Sequence, residues 1–342
     1  MARISFNRQK SYTAVRGSNP LHRIMSSLTL RWALVLLIVA SSAFIITSFI
    51  NAAPANVEAD TGTVSGGSAA VFNDASSSGG KAVKFDVADT PGGAQSCPPL
   101  PAYPDANCTG VLPGVSRTNA STMTVSQNGA VIENLTLSGR LTITGDNVTV
   151  RNVHLTTSDY YGLMIYGQNI TVEDSTFIGG ENAQAVIAAV EDGSFIATRV
   201  DVSGSPDGVS MGSNSKLIDS YIHDLGDYEG AHNDGINADG RTNTEIIHNT
   251  VLNQIGQTSA ITVGTTEYGT DVLVRDNLIA GGGYSIYAGL GRGTKGIVMQ
   301  NNVFSRRYFQ NSGAFGPVAY WNNSGGNVWT NNRYEDGTAI NP

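Results

Sequence analysis

The stretch AHNDGINADG, residues 231–240, places a histidine two residues before an aspartate. An imidazole beside a carboxylate is a pair that general acid–base catalysis uses. Asn-Asp-Gly is also ordinary turn chemistry, because Asp side chains cap backbone N–H groups and glycine permits left-handed backbone angles. The stretch therefore indicates either a catalytic pair, His232 and Asp234, or a turn, and the surrounding fold must decide.

A repeated segment from Gly129 onward predicts that fold. Each of its nine copies has a polar anchor, with an apolar residue two positions before it and another three positions after it. The anchors are Asn134, Asn152, Asp174, Arg199, Asp219, Asn249, Asp276, Asn301 and Asn331. Two apolar columns five residues apart cannot share one face of a straight strand, so we expect the chain to bend at the anchor. Asn and Asp suit such a bend because they tolerate unusual backbone angles and because their side chains can hydrogen-bond when stacked from coil to coil. The intervals of 18 to 30 residues and the β-branched strands predict an all-β, right-handed parallel β-helix over residues 125–342.

A second strand column bears on the opening stretch. Its members are Tyr161-Gly162-Leu163, Gln184-Ala185-Val186, Asp207-Gly208-Val209, Asp234-Gly235-Ile236, Ser259-Ala260-Ile261 and Tyr284-Ser285-Ile286. Asp207 and Asp234 then occupy equivalent positions on adjacent coils, about 4.8 Å apart. Two close carboxylates share a proton or bind a cation such as Ca²⁺. The alternative is that both aspartates only cap turns.

Further side chains are expected around these aspartates. His232 is predicted to lie on the exposed side and to act as a base, within a crowded region that also includes His223, Asp224, Asp227 and Glu229. Tyrosine rings suit sugar faces, which gives Tyr161, Tyr284 and Tyr287 a predicted substrate-binding role. The turn GLGRGTKG lacks the spacing of a phosphate loop and supplies Arg292 and Lys295 as carboxylate-binding candidates. His248 and His154 are interpreted as surface residues.

Residues from about Val125 to Pro342 resemble the pectin-lyase-like β-helix superfamily. The stretches FNDASSSGGKAVKF, PAYPDANCTGV, HNDGIN and SGAFGPV are similar to those of secreted bacterial β-helix proteins. The resemblance implies polysaccharide chemistry without selecting a reaction, because the superfamily includes both lyases and hydrolases. The paired-Asp and His-Gly signatures of polygalacturonase-type hydrolases and the Arg-centred signature of pectate lyases are not evident in this sequence.

The N-terminal third predicts an extracytoplasmic protein. Residues 1–31 are basic and carry no acid, and residues 32–50 form an uncharged apolar run long enough to span a bilayer. This run is either a transmembrane anchor or a cleaved signal peptide, with small residues at its exit. Residues 51–96 are rich in Gly, Ser and Ala and are typical of a linker. In an oxidising compartment Cys97 and Cys108 are expected to form a disulfide that secures an N-terminal cap, residues 97–124, over the first coil.

Charge limits the partners of this protein. Beyond residue 31 the chain has 14 Lys and Arg against 28 Asp and Glu, a net charge of −14. Such a surface repels nucleic acid, and it would also repel a polyuronate unless a divalent cation or a local basic cleft intervened. The resemblance makes a polysaccharide the expected partner, with the membrane contacted only through the N-terminal segment. We expect a monomer.

These observations favour a polysaccharide lyase acting on uronate-containing glycans. A lyase neutralises the uronate carboxylate and then removes the neighbouring proton with a positioned base. A cation held by Asp207 and Asp234 would neutralise the uronate carboxylate, and His232 would remove the neighbouring proton. Two alternatives stay open: a glycoside hydrolase that uses the Asp pair, and a non-catalytic glycan-binding or adhesin-type surface protein.

Overall fold

A computed structural model of the chain describes residues 69–73, 81–85, 95–264, 269–288 and 294–342. The chain divides into two units, Met1–Ala88 and Asp89–Pro342. The described residues of the first unit form an antiparallel pair, β1 (Ala69–Asn73) and β2 (Lys81–Phe85), inside the predicted linker. The predicted basic segment and apolar run lie outside the described residues. Within the described part, no helix is long and apolar enough to cross a membrane.

The second unit is a parallel β-helix with three strands in each complete coil, so that each strand pairs with the strand three positions later. Its first strands are β3 (Thr118–Val125), β4 (Val131–Ile143) and β5 (Thr149–Thr157), of which β4 and β5 bend across more than one face. Face one then contains β7 (Ile170–Glu173), β10 (Phe195–Thr198), β13 (Lys216–Ile218), β16 (Thr242–Ile247), β19 (Thr270–Arg275), β22 (Val298–Gln300) and β25 (Val328–Thr330). Face two contains β8 (Thr176–Gly179), β11 (Asp201–Ser203), β14 (Tyr221–Ile222), β17 (Thr250–Asn253), β20 (Leu278–Gly281), β23 (Val303–Phe304) and β26 (Arg333–Tyr334). Face three contains β6 (Tyr161–Ile165), β9 (Ala185–Ala189), β12 (Asp207–Ser210), β15 (Asp234–Asn237), β18 (Ser259–Val263), β21 (Tyr284–Ala288) and β24 (Gly316–Ala319).

The polar anchors lie at the bend between face one and face two, as the sequence predicts. Eight of the nine named anchors have a positive φ, between 48° and 60°. Their side chains bond from coil to coil: Asn152 Nδ2 donates to Asn134 Oδ1 at 2.7 Å, and Arg199 Nε donates to Asp174 Oδ1 at 2.6 Å. The apolar columns on either side fill the core, where Val150 and Leu155 are fully buried, and column residues of the end coils, such as Ile132 and Trp329, are partly buried. The right-handed winding of the coil stays a prediction.

One predicted anchor is wrong. The residue with positive φ in that coil is His248, with φ of 53°, and not Asn249. Ile218 pairs with Ile247, which aligns His248 with Asp219, and the His248 Nδ1 atom lies 2.6 Å from Asp219 Oδ1. His248 is therefore a member of the outer polar stack, whereas the sequence interpretation made it a simple surface residue. The error arose because two apolar residues stand together on both sides of the bend, Ile246-Ile247 and Val251-Leu252, so that either register satisfies the apolar columns.

Asn249 belongs instead to an internal stack one position after the anchors. Four asparagines there are at most 2% exposed: Asn249, Asn277, Asn302 and Asn332. Each of the first three donates its amide to the Oδ1 atom of the next coil's asparagine, at 2.9–3.0 Å. A buried amide is stable only when it is hydrogen-bonded, and here each coil satisfies its neighbour.

The segment that contains the disulfide does not lie over the first coil. Cys97 and Cys108 are bonded to each other. Residues 95–112, which we call the strap, follow the outside of the bend between faces one and two. Its contacts extend from Leu112 N, which donates to Asn152 Oδ1 at 2.9 Å, to Pro104 O, which accepts a 2.6 Å bond from Thr250 Oγ1. The strap thus binds several coils together along one side, and the following residues 118–125 are a strand of the first coil rather than part of a cap.

Candidate active site

Asp207 and Asp234 begin equivalent strands on face three. Val209 pairs with Ile236, so the two aspartates stand one coil apart in the same column, and each is 7% exposed. The Asp207 Oδ1 atom accepts a 3.1 Å hydrogen bond from the backbone N–H of Asp234. The register argument from the sequence therefore places these carboxylates correctly as neighbours.

The Asp234 carboxylate likewise accepts hydrogen bonds from the following coil. Its Oδ1 atom accepts hydrogen bonds from Ser259 N at 3.1 Å, Ser259 Oγ at 2.7 Å and Thr262 Oγ1 at 2.7 Å. Both donors come from β18, the next strand of face three, where Ser259 pairs with Asp234 and Thr262 pairs with Asn237. Each carboxylate thus bonds to the following coil, and this fixes its orientation.

Burial makes both aspartates weak acids. Burial, and after it the negative charge of Asp234, raise the pKa of Asp207 from 3.8 to about 7, against hydrogen bonds from the Asp234 backbone and from Gln184 that lower it. The pKa of Asp234 is also raised, chiefly by burial, against the hydrogen bonds from Ser259 and Thr262. A carboxyl with a pKa near neutrality retains a proton where an ordinary aspartate has lost it, which is the property of a general acid.

The two aspartates open into a cavity of about 560 Å³, which we call the acid cavity. It is lined by Gln184, Asp207, His232, Asp234, Asn237, Asp239, Thr258, Thr262, Tyr287 and Tyr320. His232 is exposed at its edge, and the rings of Tyr287 and Tyr320 lie 5.8 Å apart along one wall. The cavity therefore combines a proton donor, an accessible imidazole and aromatic surface, and such surface suits a sugar ring.

The other residues predicted to bind substrate are more widely spread. Tyr284 contacts Tyr287, with ring centroids 5.6 Å apart, and extends the aromatic surface towards Phe315, which is 71% exposed. Tyr161 lies in the same column as Asp207, two coils earlier, through the pairing of both with Ala185. Lys295 is exposed on a turn paired with Thr270 and does not line the acid cavity. Arg292 lies outside the described residues.

The cluster predicted around His223 is divided between two faces. His223 lies on face two, where Nε2 is 3.2 Å from Asp201 Oδ1, Nδ1 is 2.7 Å from Asp224 Oδ2, and the ring stacks on Tyr221. Burial lowers the pKa of His223, but the two carboxylates outweigh that effect and raise it. Asp227 and Glu229 do not line the acid cavity either. Each coil has three strands, so residues that are close in sequence can lie on different faces. The column pattern did not cover the irregular loop before Asp234, so it could not show which face the loop residues occupy.

The sequence interpretation assigned no site role to six residues of the acid cavity: Gln184, Asn237, Asp239, Thr258, Thr262 and Tyr320. Thr262 could have been found, because the column that aligns Asp234 with Ser259 also aligns Asn237 with Thr262. Gln184 was assigned to the column itself, but Tyr161 pairs with Ala185 and Asp207 also pairs with Ala185, so the strand begins one residue later. Tyr320 follows the last strand of face three and carries no signal in the repeat.

A calcium ion at Asp207 and Asp234 would compete with hydrogen bonds that these carboxylates already accept. Calcium takes about six to eight oxygen ligands. The Oδ1 atoms of Asp207 and Asp234 already accept N–H or O–H donors, and no group of three or more His, Cys, Asp or Glu suited to a metal occurs within the described ranges. Calcium binding stays a prediction.

Comparison with known proteins adds little. No family profile matches the sequence, and no curated protein matches it. A solved structure, the A-module of the mannuronan C-5 epimerase AlgE6 from Azotobacter vinelandii, aligns with a TM-score of 0.39 and 13% identity. The alignment covers 64% of this chain and 66% of that one. We draw nothing about function from a likeness of this size.

Proposed function

We propose that this protein is a glycan-cleaving enzyme whose substrate contains uronic acid and whose reaction is a β-elimination. The observation that carries the proposal is the buried Asp207 carboxyl, with its pKa raised to about 7, at an open, tyrosine-lined cavity. A protonated carboxyl donates a hydrogen bond to a substrate carboxylate, and this stabilises the negative charge that develops beside it when the neighbouring proton is removed.

In this scheme each proton has a defined path. Asp207 donates its hydrogen bond to the uronate carboxylate, and the negative charge of Asp234 helps to keep Asp207 protonated. The imidazole of His232 removes the proton from the carbon next to that carboxylate. The electrons of the broken C–H bond form the new double bond, the bond to the glycosidic oxygen breaks, and the departing oxygen takes a proton from the His232 imidazolium.

A second reaction is supported by the same acid. Three carboxylates line the acid cavity, from Asp207, Asp234 and Asp239, and the described residues that line it include no Lys or Arg. This arrangement favours a glycan of low charge, with Asp207 protonating the glycosidic oxygen and Asp234 acting as nucleophile or base. The separation of the carboxyl groups in a substrate complex would then set the stereochemical outcome.

The products separate these reactions. The protein is incubated with polyuronate and neutral polysaccharides, with and without chelator, near neutral pH. Elimination produces unsaturated uronates that absorb in the ultraviolet, whereas hydrolysis produces reducing ends alone. Binding without any new chain end would contradict both reactions and leave the glycan-binding alternative. An extracytoplasmic location and a monomeric state accompany the proposal as predictions.

Replacing His232 with alanine is expected to lower kcat by about 10²–10⁴-fold, the range for loss of a positioned acid–base group. The melting temperature is expected to change little, because His232 is exposed. Turnover is measured on whichever glycan the wild-type protein cleaves. The control is His154→Ala, which removes a histidine on another face. A His232→Ala variant with unchanged kcat would remove His232 from the mechanism.

A further inference from the structure

Face two carries a second concave surface. Two cavities, of about 690 and 490 Å³, meet at Tyr103, Leu278 and Glu335, and together they form one groove beside the strap. We call it the flank groove. Its floor includes Leu252 and Leu278. The acid cavity opens on face three, so the flank groove shares no lining residue with it.

The strap holds one wall of the flank groove in place. Tyr103 stands in the loop closed by the disulfide, and its ring packs against His248 with centroids 5.9 Å apart. His248 Nε2 lies 3.0 Å from Ala102 O, and Thr250 Oγ1 donates to Pro104 O at 2.6 Å. The Tyr103 wall is therefore fixed from both sides, as in a preorganised binding surface.

The flank groove brings three arginines together on an otherwise acidic protein, alongside the carboxyls of Asp105, Asp276 and Glu335. Arg306 and Arg307 line one part of it and Arg333 lines the other. Arg306 is paired with Asp336 at 2.6 Å and lies over the Tyr334 ring at 3.9 Å. The described lysines and arginines that form ion pairs with carboxylates are Arg151, Arg199, Lys216, Arg275 and Arg306.

Arg307 differs from these. It is exposed, its guanidinium lies 5.6 Å from the Tyr308 ring, and among the described residues no carboxylate forms an ion pair with it. Its backbone N–H donates to Ser305 Oγ at 3.2 Å, which anchors its position on the loop after β23. An arginine held at the rim of a groove without a carboxylate partner offers a planar, two-pronged site for an anion.

We propose that the flank groove is a second glycan-binding site that takes an acidic oligosaccharide, with Arg307 bound to a sugar carboxylate and Tyr103 and Tyr221 bordering the sugar rings. The leucine floor and the tyrosines suit the apolar faces of sugars, and Asp105 and Glu335 accept hydrogen bonds from hydroxyl groups. An acidic peptide has no comparable row of hydroxyl donors to offer these two carboxylates, so the lining favours an acidic sugar over a peptide of similar charge. The site is non-catalytic and would hold a polymer beside the solenoid.

The test uses the full chain with Asp207→Asn, so that cleavage of the probe is slowed, and a tetramer of galacturonic acid measured by calorimetry. Two binding events per chain are expected, one at each site. Arg307→Ala is expected to weaken one event by about tenfold or more, the effect of losing a charged hydrogen bond, and Tyr287→Ala to weaken the other. Lys216→Ala, which removes a half-buried base on face one, is the matched control and should change neither event.

The outcomes separate this proposal from the proposed function. An event weakened by Arg307→Ala and Tyr103→Ala but not by Tyr287→Ala supports the flank site even if no glycan is ever turned over. Binding that is insensitive to Arg307→Ala, or no binding of the tetramer, overturns the proposal. Equal binding of a tetraglutamate peptide also overturns it, because charge alone would then explain the effect.

Discussion

Replacing Asp207 with asparagine is expected to lower glycan turnover by at least about 10²-fold. Asparagine keeps the Oδ1 acceptor that binds the Asp234 N–H, and its amide still donates a hydrogen bond. A neutral amide cannot protonate a glycosidic oxygen, however, and its hydrogen bond to a uronate carboxylate is weaker than that of a carboxylic acid. The wild-type rate should also fall as pH rises above about 7, because the pKa of Asp207 is raised to about 7 by burial and by the Asp234 charge. Initial rates measured across neutral pH test both statements.

The same substitution is expected to stabilise the protein at alkaline pH. The pKa of Asp207 is about 7 in the fold, against an ordinary value of 3.8. Between about pH 4 and pH 7 the folded state keeps a proton that the unfolded state has lost, so the stability contributed by that proton disappears as pH rises through this window. At pH 8 the ionised, buried carboxylate therefore lowers the free energy of unfolding by about 4 kcal/mol. Asparagine carries no charge, so the variant is expected to regain this stability.

A turn role for Asp207 predicts a different result. In that case Asp207→Asn and Asp234→Asn behave like the wild type in turnover, because asparagine caps a turn equally well. The matched comparison is Gly208→Ala, whose added Cβ would lie 2.5 Å from Gly235 O and 2.7 Å from Ile222 Cγ2. That variant should lose stability under either hypothesis. Unchanged turnover in both asparagine variants would contradict the acid role.

The repeat in the sequence predicted the architecture because its physical cause is local. A bend needs a residue that tolerates positive φ, and the apolar columns mark the core on either side of it. The register failed at Asn249 and at Gln184, where a neighbouring residue of similar character satisfied the same pattern. There the deciding interactions are cross-coil hydrogen bonds, such as His248 to Asp219, and no single repeat contains them.

The candidate site was only partly predictable for a related reason. The positions of Asp207 and Asp234 follow from the strand register, and the position of Thr262 could have been derived from it in the same way. Tyr320 and the strap depend on segments outside the repeat, whose route over the surface is set by contacts such as Thr250 with Pro104, 146 residues apart in sequence. The pKa of Asp207 likewise depends on burial, which a repeat pattern does not measure.

The internal asparagine stack gives the largest expected effect on stability. Asn277 donates to Ile246 O at 2.9 Å and to Asn302 Oδ1 at 3.0 Å, and its own Oδ1 accepts the Asn249 N–H at 2.8 Å. Asn277→Ala removes all of these bonds from a fully buried position, and at least two polar groups would be left without partners. At about 1–3 kcal/mol for each buried orphan, the expected loss of unfolding free energy is about 4 kcal/mol.

The control is Asn331→Gly, which removes an exposed amide from the outer stack and keeps the positive φ of 56°. Its expected cost is below about 1 kcal/mol, since its bond to Asn301 Oδ1 is long and solvent-exposed. Both variants are compared by urea unfolding. Because each coil of a solenoid depends on its neighbours, Asn277→Ala should also separate the unfolding of the C-terminal coils from that of the rest. Equal unfolding midpoints for the two variants would mean that the buried amides contribute no more to stability than exposed ones.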